Sequence, residues 1–166
     1  MGPTEDAEFA AFVLASQRRL RRTAHLICGD RHRAEDIVQT AFGQVYSRWT
    51  RICAVDSPHG YVHRAVVNAA IDEQRRPWRR EQATAVLPER GMTTEDGLTA
   101  ELVSALGALP RRQRAVVVLR YVEDLDIEAT AQLLGISPGT VKSQAARGLA
   151  ALRGLLTNGA DEGALR

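Results

Sequence analysis

Apolar residues recur every three or four positions along most of this sequence, which is the pattern of amphipathic helices. The most regular run is Ala34, Ile37, Val38, Ala41, Phe42, Val45 and Trp49. Hydrophobic residues make up 45% of the chain and aromatic residues only 5%. The core must therefore consist mainly of small aliphatic side chains, which suit close-packed helices. No alternating run of useful length indicates a strand. The pattern predicts an all-α protein.

Two helices with clear ends are predicted in the first 50 residues. The first begins near Glu8 and ends at Gly29, because glycine readily closes a helix in the left-handed conformation. Its apolar stripe is Phe9, Phe12, Val13, Ser16, Leu20, Thr23 and Ile27. Asp30 is placed to cap the second helix, which contains the regular run above. The polar face of this second helix is formed by Glu35, Asp36, Gln39 and Gly43.

A third helix is predicted to open with Ser57 as its cap and Pro58 at its first position. It should end before Pro77, because proline disfavours a helical conformation at Arg76. Its expected buried stripe is Val62, Ala65, Val66 and Ala69. A polar strip on another side is formed by Arg64, Asn68 and Asp72 and continues to Arg75 and Arg76.

Charge is distributed unevenly, although the net charge is only +2. Residues 1–80 carry 13 basic and nine acidic side chains. Residues 81–99 carry one basic and four acidic side chains, and residues 100–166 carry eight basic and seven acidic ones. The middle segment also loses its periodicity and contains proline and glycine, so it is predicted to be a flexible acidic linker. We expect two small helical domains, at 1–80 and 100–157, and a disordered tail at 158–166.

Residues 126–153 have the pattern of a helix-turn-helix. A short amphipathic helix, Ile127–Leu134, is followed by Gly135, which can adopt the left-handed conformation that a tight turn needs. Ser137 and Pro138 then open a second helix. The side chains expected to project outward from this helix are Thr140, Lys142, Ser143 and Arg147. Such a helix enters the major groove of DNA by its N-terminal end, although the spacing also fits a plain helical hairpin.

Three parts of the sequence together resemble the extracytoplasmic-function sigma factors, the smallest class of sigma factors of bacterial RNA polymerase. The first part is Ala34–Phe42, the second is Pro58–Arg76, and the third consists of Leu109–Arg114, Leu119–Leu125 and Leu134–Ser143. They occur in the order expected for this family, between residues 8 and 156. Gln144 and Ala146 depart from the family, which often has arginine and histidine there. The resemblance therefore does not imply which promoter sequence this chain binds.

The resemblance implies a non-enzymatic initiation factor in which each segment has its own partner. The second helix would dock on the clamp of the polymerase largest subunit through Glu35, Asp36 and Gln39. The third helix would melt the −10 element and bind its unpaired strand through Arg64, Asn68, Asp72, Arg75 and Arg76. The helix-turn-helix would bind the −35 duplex through Ser137, Thr140, Lys142, Ser143 and Arg147. The polymerase flap and an anti-sigma factor are further candidate partners.

The residue types of the third helix fit the role that the resemblance implies. Arginine can hold a phosphate, whereas the amide of Asn68 offers a donor and an acceptor to an unpaired base. By resemblance, the loop Cys53–Ser57 would complete a pocket for that base. Simpler alternatives stay open: the polar face of the second helix could be merely solvated, Trp78 could pack in the bundle instead of stacking on a base, and the linker could be a plain tether.

The same sequence leaves two rival functions. A stand-alone regulator would bind duplex DNA as a dimer through residues 126–153 and use the first domain for dimerisation or sensing. A metal-dependent enzyme would need a ligand set such as His25, Cys28, His32 and Cys53. Because there is no Cys-x-x-Cys pair, we expect neither a metal site nor another cofactor.

The expected location is the cytoplasm. No segment approaches the roughly 20 apolar residues of a membrane span, and the acidic start Met1–Glu8 is unlike a signal peptide. The net charge of only +2 predicts a monomer that binds DNA weakly without polymerase, since non-specific affinity depends on the number of phosphates neutralised.

Overall fold

The computed structural model describes residues 1–55, 57–73 and 98–164, with side chains up to residue 158. Within these residues the chain forms eight α-helices and one π-helical segment, and no strand, so the predicted all-α fold is confirmed. The helices are α1 (Pro3–Cys28), α2 (Arg31–Tyr46), α3 (Trp49–Val55), α4 (Pro58–Glu73), α5 (Ala100–Gly107), α6 (Arg111–Val117), α7 (Ile127–Leu134) and α8 (Pro138–Ala164), and the π-helical segment is Val118–Val122. They belong to two compact units, Met1–Glu73 and Gln74–Arg166.

In the first unit, α1 packs along both α2 and α4. The fully buried side chains of this core include Leu26, Ile27, Val38, Val45, Val62, Val66 and Val67. Nearer the start of α1, the ring of Phe12 lies 5.9 Å from that of Phe42 and 5.3 Å from that of Trp49, between centroids. Because each large apolar side chain contributes about 1.5–3 kcal/mol when fully buried, this core holds the three long helices firmly.

The predicted boundary between the first two helices is confirmed. Gly29 has a φ of 79° and its N–H donates to the carbonyl of His25 at 2.8 Å, which closes α1 in the left-handed conformation. The carboxylate of Asp30 accepts from the N–H of Arg33 at 3.0 Å and so caps α2.

Two other boundaries differ from the sequence prediction. α1 begins at Pro3 rather than near Glu8, because Pro3 occupies the first helical position and the Glu5 carboxylate accepts from the N–H of Gly2 at 3.0 Å. α2 ends at Tyr46, so Trp49 belongs to a separate short helix, α3. The apolar spacing continues across the turn between them, so the periodicity predicted one continuous helix.

The buried face of α4 is wider than predicted and rotated. Val62 and Val66 are buried as expected, but Ala69 is exposed and Ala70 is buried in its place. Val67 is also fully buried. The cause is that α4 packs against α1 and α2 together, so two neighbours cover adjacent sides of one helix.

In the second unit, α5 and α6 pack against α8. Its fully buried side chains include Leu98, Leu106, Val116, Val118 and Leu119. Arg114 is also buried, and its Nε donates to the carbonyl of Leu106 at 2.7 Å, which links α6 to α5. The π-helical segment was not predicted; it is closed by the N–H of Glu123, which donates to the carbonyl of Val118 at 3.0 Å.

The last helix is longer than the sequence indicated. α8 continues to Ala164, so residues 158–164 of the expected tail are helical. Most of the expected linker, together with Arg75, Arg76 and Trp78, lies outside the described residues. In the part of the chain that is described, none of the helices combines the length and the apolar character needed to cross a bilayer.

Candidate nucleic-acid interface

The polar face of α2 is on the outside of the first unit. Glu35, Asp36 and Gln39 are exposed, whereas most of the apolar stripe of the same helix is buried. Nη1 of Arg21 lies 3.8 Å from Oε1 of Glu35, and both side chains are partly solvated, so this ion pair contributes little stability. Asp36 and Gln39 have no polar partner among the described side chains. The side chains of Asp36 and Gln39 are thus available to an external partner.

The polar strip of α4 is also exposed. Arg64, Asn68 and Asp72 follow one another at intervals of four residues and are all exposed, so they lie along one side of the helix. Arg75 and Arg76 would continue this strip but are outside the described residues. Among the three, the amide of Asn68 alone combines donor and acceptor groups. The loop Cys53–Ser57, expected to complete a base pocket, differs from the prediction: residues 53–55 form the end of α3, and residue 56 is likewise not described.

A contact that the sequence did not indicate lies at the start of the same strip. Arg48, in the turn between α2 and α3, donates from Nη1 to the hydroxyl of Tyr61 at 3.0 Å. Tyr61 precedes Asn68 by seven residues, so the two share a side of α4. Arg48 and Tyr61 are 13 residues apart and belong to different elements. No periodicity within one helix could therefore have predicted this pair.

The turn that carries Arg48 is held from two sides by α1. The hydroxyl of Tyr46 donates to Oδ1 of Asp6 at 3.2 Å, and that of Thr50 donates to Oε1 of Glu5 at 2.9 Å. The hydrogen bond to Asp6 and its negative charge raise the pKa of Tyr46. The backbone N–H of Gly2 and the Thr50 hydroxyl both stabilise the charged form of Glu5 and lower its pKa. The start of α1 thus fixes the turn between α2 and α3.

The second unit contains the predicted helix-turn-helix. Gly135 ends α7 with a φ of 66°, and the Ser137 hydroxyl accepts from the N–H of Thr140 at 3.1 Å to cap α8. Val141 is completely buried and packs in a cluster with Val116, Ala131 and Ala145. Ile127, Leu134 and Ile136 pack against this cluster. α7 and α8 are therefore locked together, which gives the outer side of α8 a defined position.

The outward side chains of α8 divide into two groups. Ser137 and Thr140 share a hydrogen bond between their hydroxyl oxygens at 2.8 Å, and Ser143 donates to the carbonyl of Thr140 at 3.1 Å. These hydroxyls already form hydrogen bonds within the first turns of the helix, and Thr140 is half-buried. Lys142 and Arg147 are exposed and have no polar partner within the described ranges. They are the groups best placed to meet phosphate.

The histidines and cysteines do not form a metal site in the described part of the chain. His25 and Cys28 are buried, whereas His32 and Cys53 are exposed. Neither cysteine is in a disulfide. Among the described residues, no group of three or more His, Cys, Asp or Glu residues is arranged to hold a metal ion.

Two family models match the chain. The model of sigma-70 region 2 matches residues 12–80, which include the polar faces of α2 and α4. The model of sigma-70 region 4 matches residues 99–152, which include α7 and the N-terminal half of α8. Because both regions occur in one chain, the sigma factor interpretation is favoured over a stand-alone helix-turn-helix regulator.

Known relatives and solved structures agree with these matches. The RNA polymerase sigma-E factor of Streptomyces coelicolor is 38% identical over 152 residues, which cover 90% of this chain and 86% of the relative. The ECF RNA polymerase sigma factor SigM of Mycobacterium tuberculosis is 33% identical over 141 residues, which cover 84% of this chain and 72% of the relative. The sigma factor RpoE of Bartonella quintana, crystallised with the anti-sigma factor NepR, shares the fold at 21% identity, with a TM-score of 0.69 and coverage of 90% and 97%. This chain therefore belongs to the extracytoplasmic-function sigma factors of RNA polymerase.

Proposed function

We propose that this sigma factor joins core RNA polymerase, melts and captures the −10 element with its first unit, and binds the −35 element with its second. The observation that carries the proposal is the exposed polar strip of α4. Arg64 and Asn68 are exposed, while Val66 and Val67 of the same helix are completely buried. A helix anchored in this way presents its polar side chains at fixed positions, as recognition of a base requires.

Docking on the polymerase clamp is assigned to the polar face of α2. Asp36 and Gln39 carry the larger share, because they have no internal partner among the described residues and lose only water on binding. Glu35 belongs to the same face but shares its carboxylate with Arg21. A polymerase group that approached Glu35 would have to compete with this arginine, so its contribution is smaller.

Capture of the −10 strand is assigned to α4. The Asn68 amide would pair with the edge of an unpaired base, while Arg64 would hold a phosphate. The carboxylate of Asp72 would favour a nucleotide that offers it a hydrogen-bond donor, since a carboxylate only accepts. Arg75 and Arg76 would extend the phosphate contacts beyond the end of α4. Melting then follows from binding energy, since a protein that binds only the unpaired strand shifts the equilibrium toward it.

Binding of the −35 duplex is assigned to the N-terminal half of α8. Lys142 and Arg147 would contact phosphates or guanine edges in the major groove. Ser137, Thr140 and Ser143 would lie at the end of the helix that enters the groove. Because their hydroxyls are already engaged within the helix, they would set the position of the backbone more than they read sequence.

The remaining partners follow from the same assignment. The chain would act in the cytoplasm as a non-enzymatic subunit of the holoenzyme, be a monomer when free, and contact the polymerase flap through its second unit. The sigma factor RpoE of Bartonella quintana, which has a similar fold, has been crystallised with the anti-sigma factor NepR, and CnrH, also of similar fold, has been solved in complex with the cytosolic domain of CnrY. A protein of that kind is the candidate that would hold this chain inactive.

Affinity for core polymerase tests the docking assignment. Asp36→Arg should weaken binding by about tenfold or more, since it reverses a charge in the interface, and Gln39→Ala should weaken it less. Gln44→Ala is the matched control, because Gln44 is an exposed glutamine on a different side of α2. Circular dichroism should show the parent helix content in all three. A folded Asp36→Arg variant with the parent affinity would contradict the assignment.

A further inference from the structure

We propose that Arg48 and Tyr61 form a second contact for the unpaired promoter strand, in which Arg48 binds a phosphate and Tyr61 positions its guanidinium. The inference rests on the proposed function of the α4 strip and extends it to the turn between α2 and α3. Arg48 is exposed, Tyr61 is half-buried, and Nη1 of the former donates to the hydroxyl of the latter at 3.0 Å.

The backbone of Arg48 is fixed in the turn. Its N–H donates to the carbonyl of Val45 at 3.1 Å, and its carbonyl accepts from the N–H of Ile52 at 2.9 Å. With the backbone held and one guanidinium N–H bonded to Tyr61, the remaining N–H groups are oriented before any ligand arrives. A guanidinium offers five such donors in a planar fork, so most stay available to a phosphate.

Among the described residues, Arg48 also has no acidic partner. It forms no ion pair with any side chain in the described ranges. The two acidic residues that reach this turn, Glu5 and Asp6, accept hydrogen bonds from Thr50 and Tyr46 instead. An ordered arginine whose only polar side-chain partner among the described residues is a neutral phenol is suited to an anion that comes from outside.

A purely structural role explains the contact less well. Ordering a long arginine side chain costs about as much rotamer entropy as one solvent-exposed hydrogen bond to a phenol returns. The turn is already held by contacts from Tyr46 and Thr50 to α1, so it does not need Arg48 to fix it. Binding of an external phosphate would offset the cost of ordering Arg48.

The position of the pair matches a continuous path for a single strand. Tyr61 precedes Asn68 by seven residues, roughly 10 Å along the helix axis. Arg64 lies between them and is exposed. Proteins that hold single strands combine a row of basic groups with a few contacts to bases. The path would run from the base held by Asn68, past Arg64, to a neighbouring phosphate on Arg48.

The test uses holoenzyme reconstituted with core polymerase and promoter DNA carrying a pre-melted −10 bubble. Arg48→Ala should lower affinity about tenfold at low salt. It should also reduce the slope of log affinity against log salt by about 0.7, as expected for one phosphate contact on a single strand. Arg48→Lys should restore the slope but only part of the affinity, because an ammonium lacks the planar fork. Arg18→Ala, at an exposed arginine of α1, should leave both values unchanged.

Tyr61→Phe separates positioning from direct binding. Alone, it should lower affinity about threefold with the salt slope unchanged, because only the hydrogen bond that orients Arg48 is lost. Added to Arg48→Ala it should cause no further loss, since Tyr61 acts through Arg48. Additive losses would overturn the positioning role of Tyr61.

Asn68→Ala distinguishes failure of this inference from failure of the proposed function. If Asn68→Ala weakens binding while Arg48→Ala keeps the parent affinity and slope, the second contact is refuted and the α4 strip stands. Parent-like binding by both variants would refute both. An equal loss in Arg18→Ala and Arg48→Ala would reveal a general charge effect and would also overturn the inference.

Discussion

Gly148 is predicted to allow the close packing of α8 against α6. An alanine Cβ at this position would lie 2.6 Å from Cγ2 of Val117 and 3.3 Å from the backbone oxygen of Gln113. Val117 is only 2% exposed, so it has no space into which to move. Alanine is favoured over glycine within a helix by about 1 kcal/mol, whereas overpacking a core costs about 1–3 kcal/mol. With so close a contact, Gly148→Ala should destabilise the second unit by about 1–2 kcal/mol net.

Gly154→Ala is the matched control on the same helix. Nothing lies within 4 Å of a Cβ built there, so this variant should be stabilised by about 0.5–1 kcal/mol. Urea titration of the full chain, followed by the amide NMR signals of α8, measures both free energies of unfolding. Gly148→Ala should also weaken −35 binding, because α8 would be displaced, whereas Gly154→Ala should not. A Gly148→Ala variant as stable as the parent would refute the packing argument.

Two further predictions concern charged groups. Lys142→Ala and Arg147→Ala should each weaken −35 binding and reduce the salt slope by about one; parent-like transcription by both from every responsive promoter would show that α8 is not the recognition helix. The Glu5 carboxyl should titrate below its ordinary pKa of 4.5, because the Gly2 N–H and the Thr50 hydroxyl favour its charged form. Its contribution to stability is therefore present above pH 4.5 and lost as the pH falls through the lowered pKa. A carboxyl NMR titration in which Thr50→Val left the pKa unchanged would contradict this cause.

Sequence reasoning succeeded where one residue carries a local signal. Gly29 and Gly135 each end a helix in the left-handed conformation, and Asp30 and Ser137 each cap the next helix, as predicted. These outcomes depend on backbone sterics and on hydrogen bonds within four residues. The helix-turn-helix could be predicted for the same reason.

Features that depend on several helices could not be predicted. Ala69 was expected in the buried stripe of α4, but it is exposed and Ala70 is buried, because α1 and α2 cover the helix together. The pattern of one helix does not contain that information. The contact of Arg48 with Tyr61 has the same origin, since it exists only when two elements meet. The exposure of Asn68 was predictable because Asn68 lies outside both the predicted apolar stripe of α4 and the face that is buried in the structure.

Base recognition by Asn68 is the central claim, and run-off transcription with permanganate footprinting tests it most directly. The holoenzyme is assayed on promoters varied at each −10 position. Asn68→Ala should reduce opening and relax base preference at one position, with a loss of roughly 1–3 kcal/mol for the preferred base. A pre-melted bubble should restore activity only in part. Arg64→Ala should lower activity evenly across sequences and respond more strongly to salt. If Asn68→Ala keeps the parent preferences while Arg64→Ala alters them, the claim is contradicted.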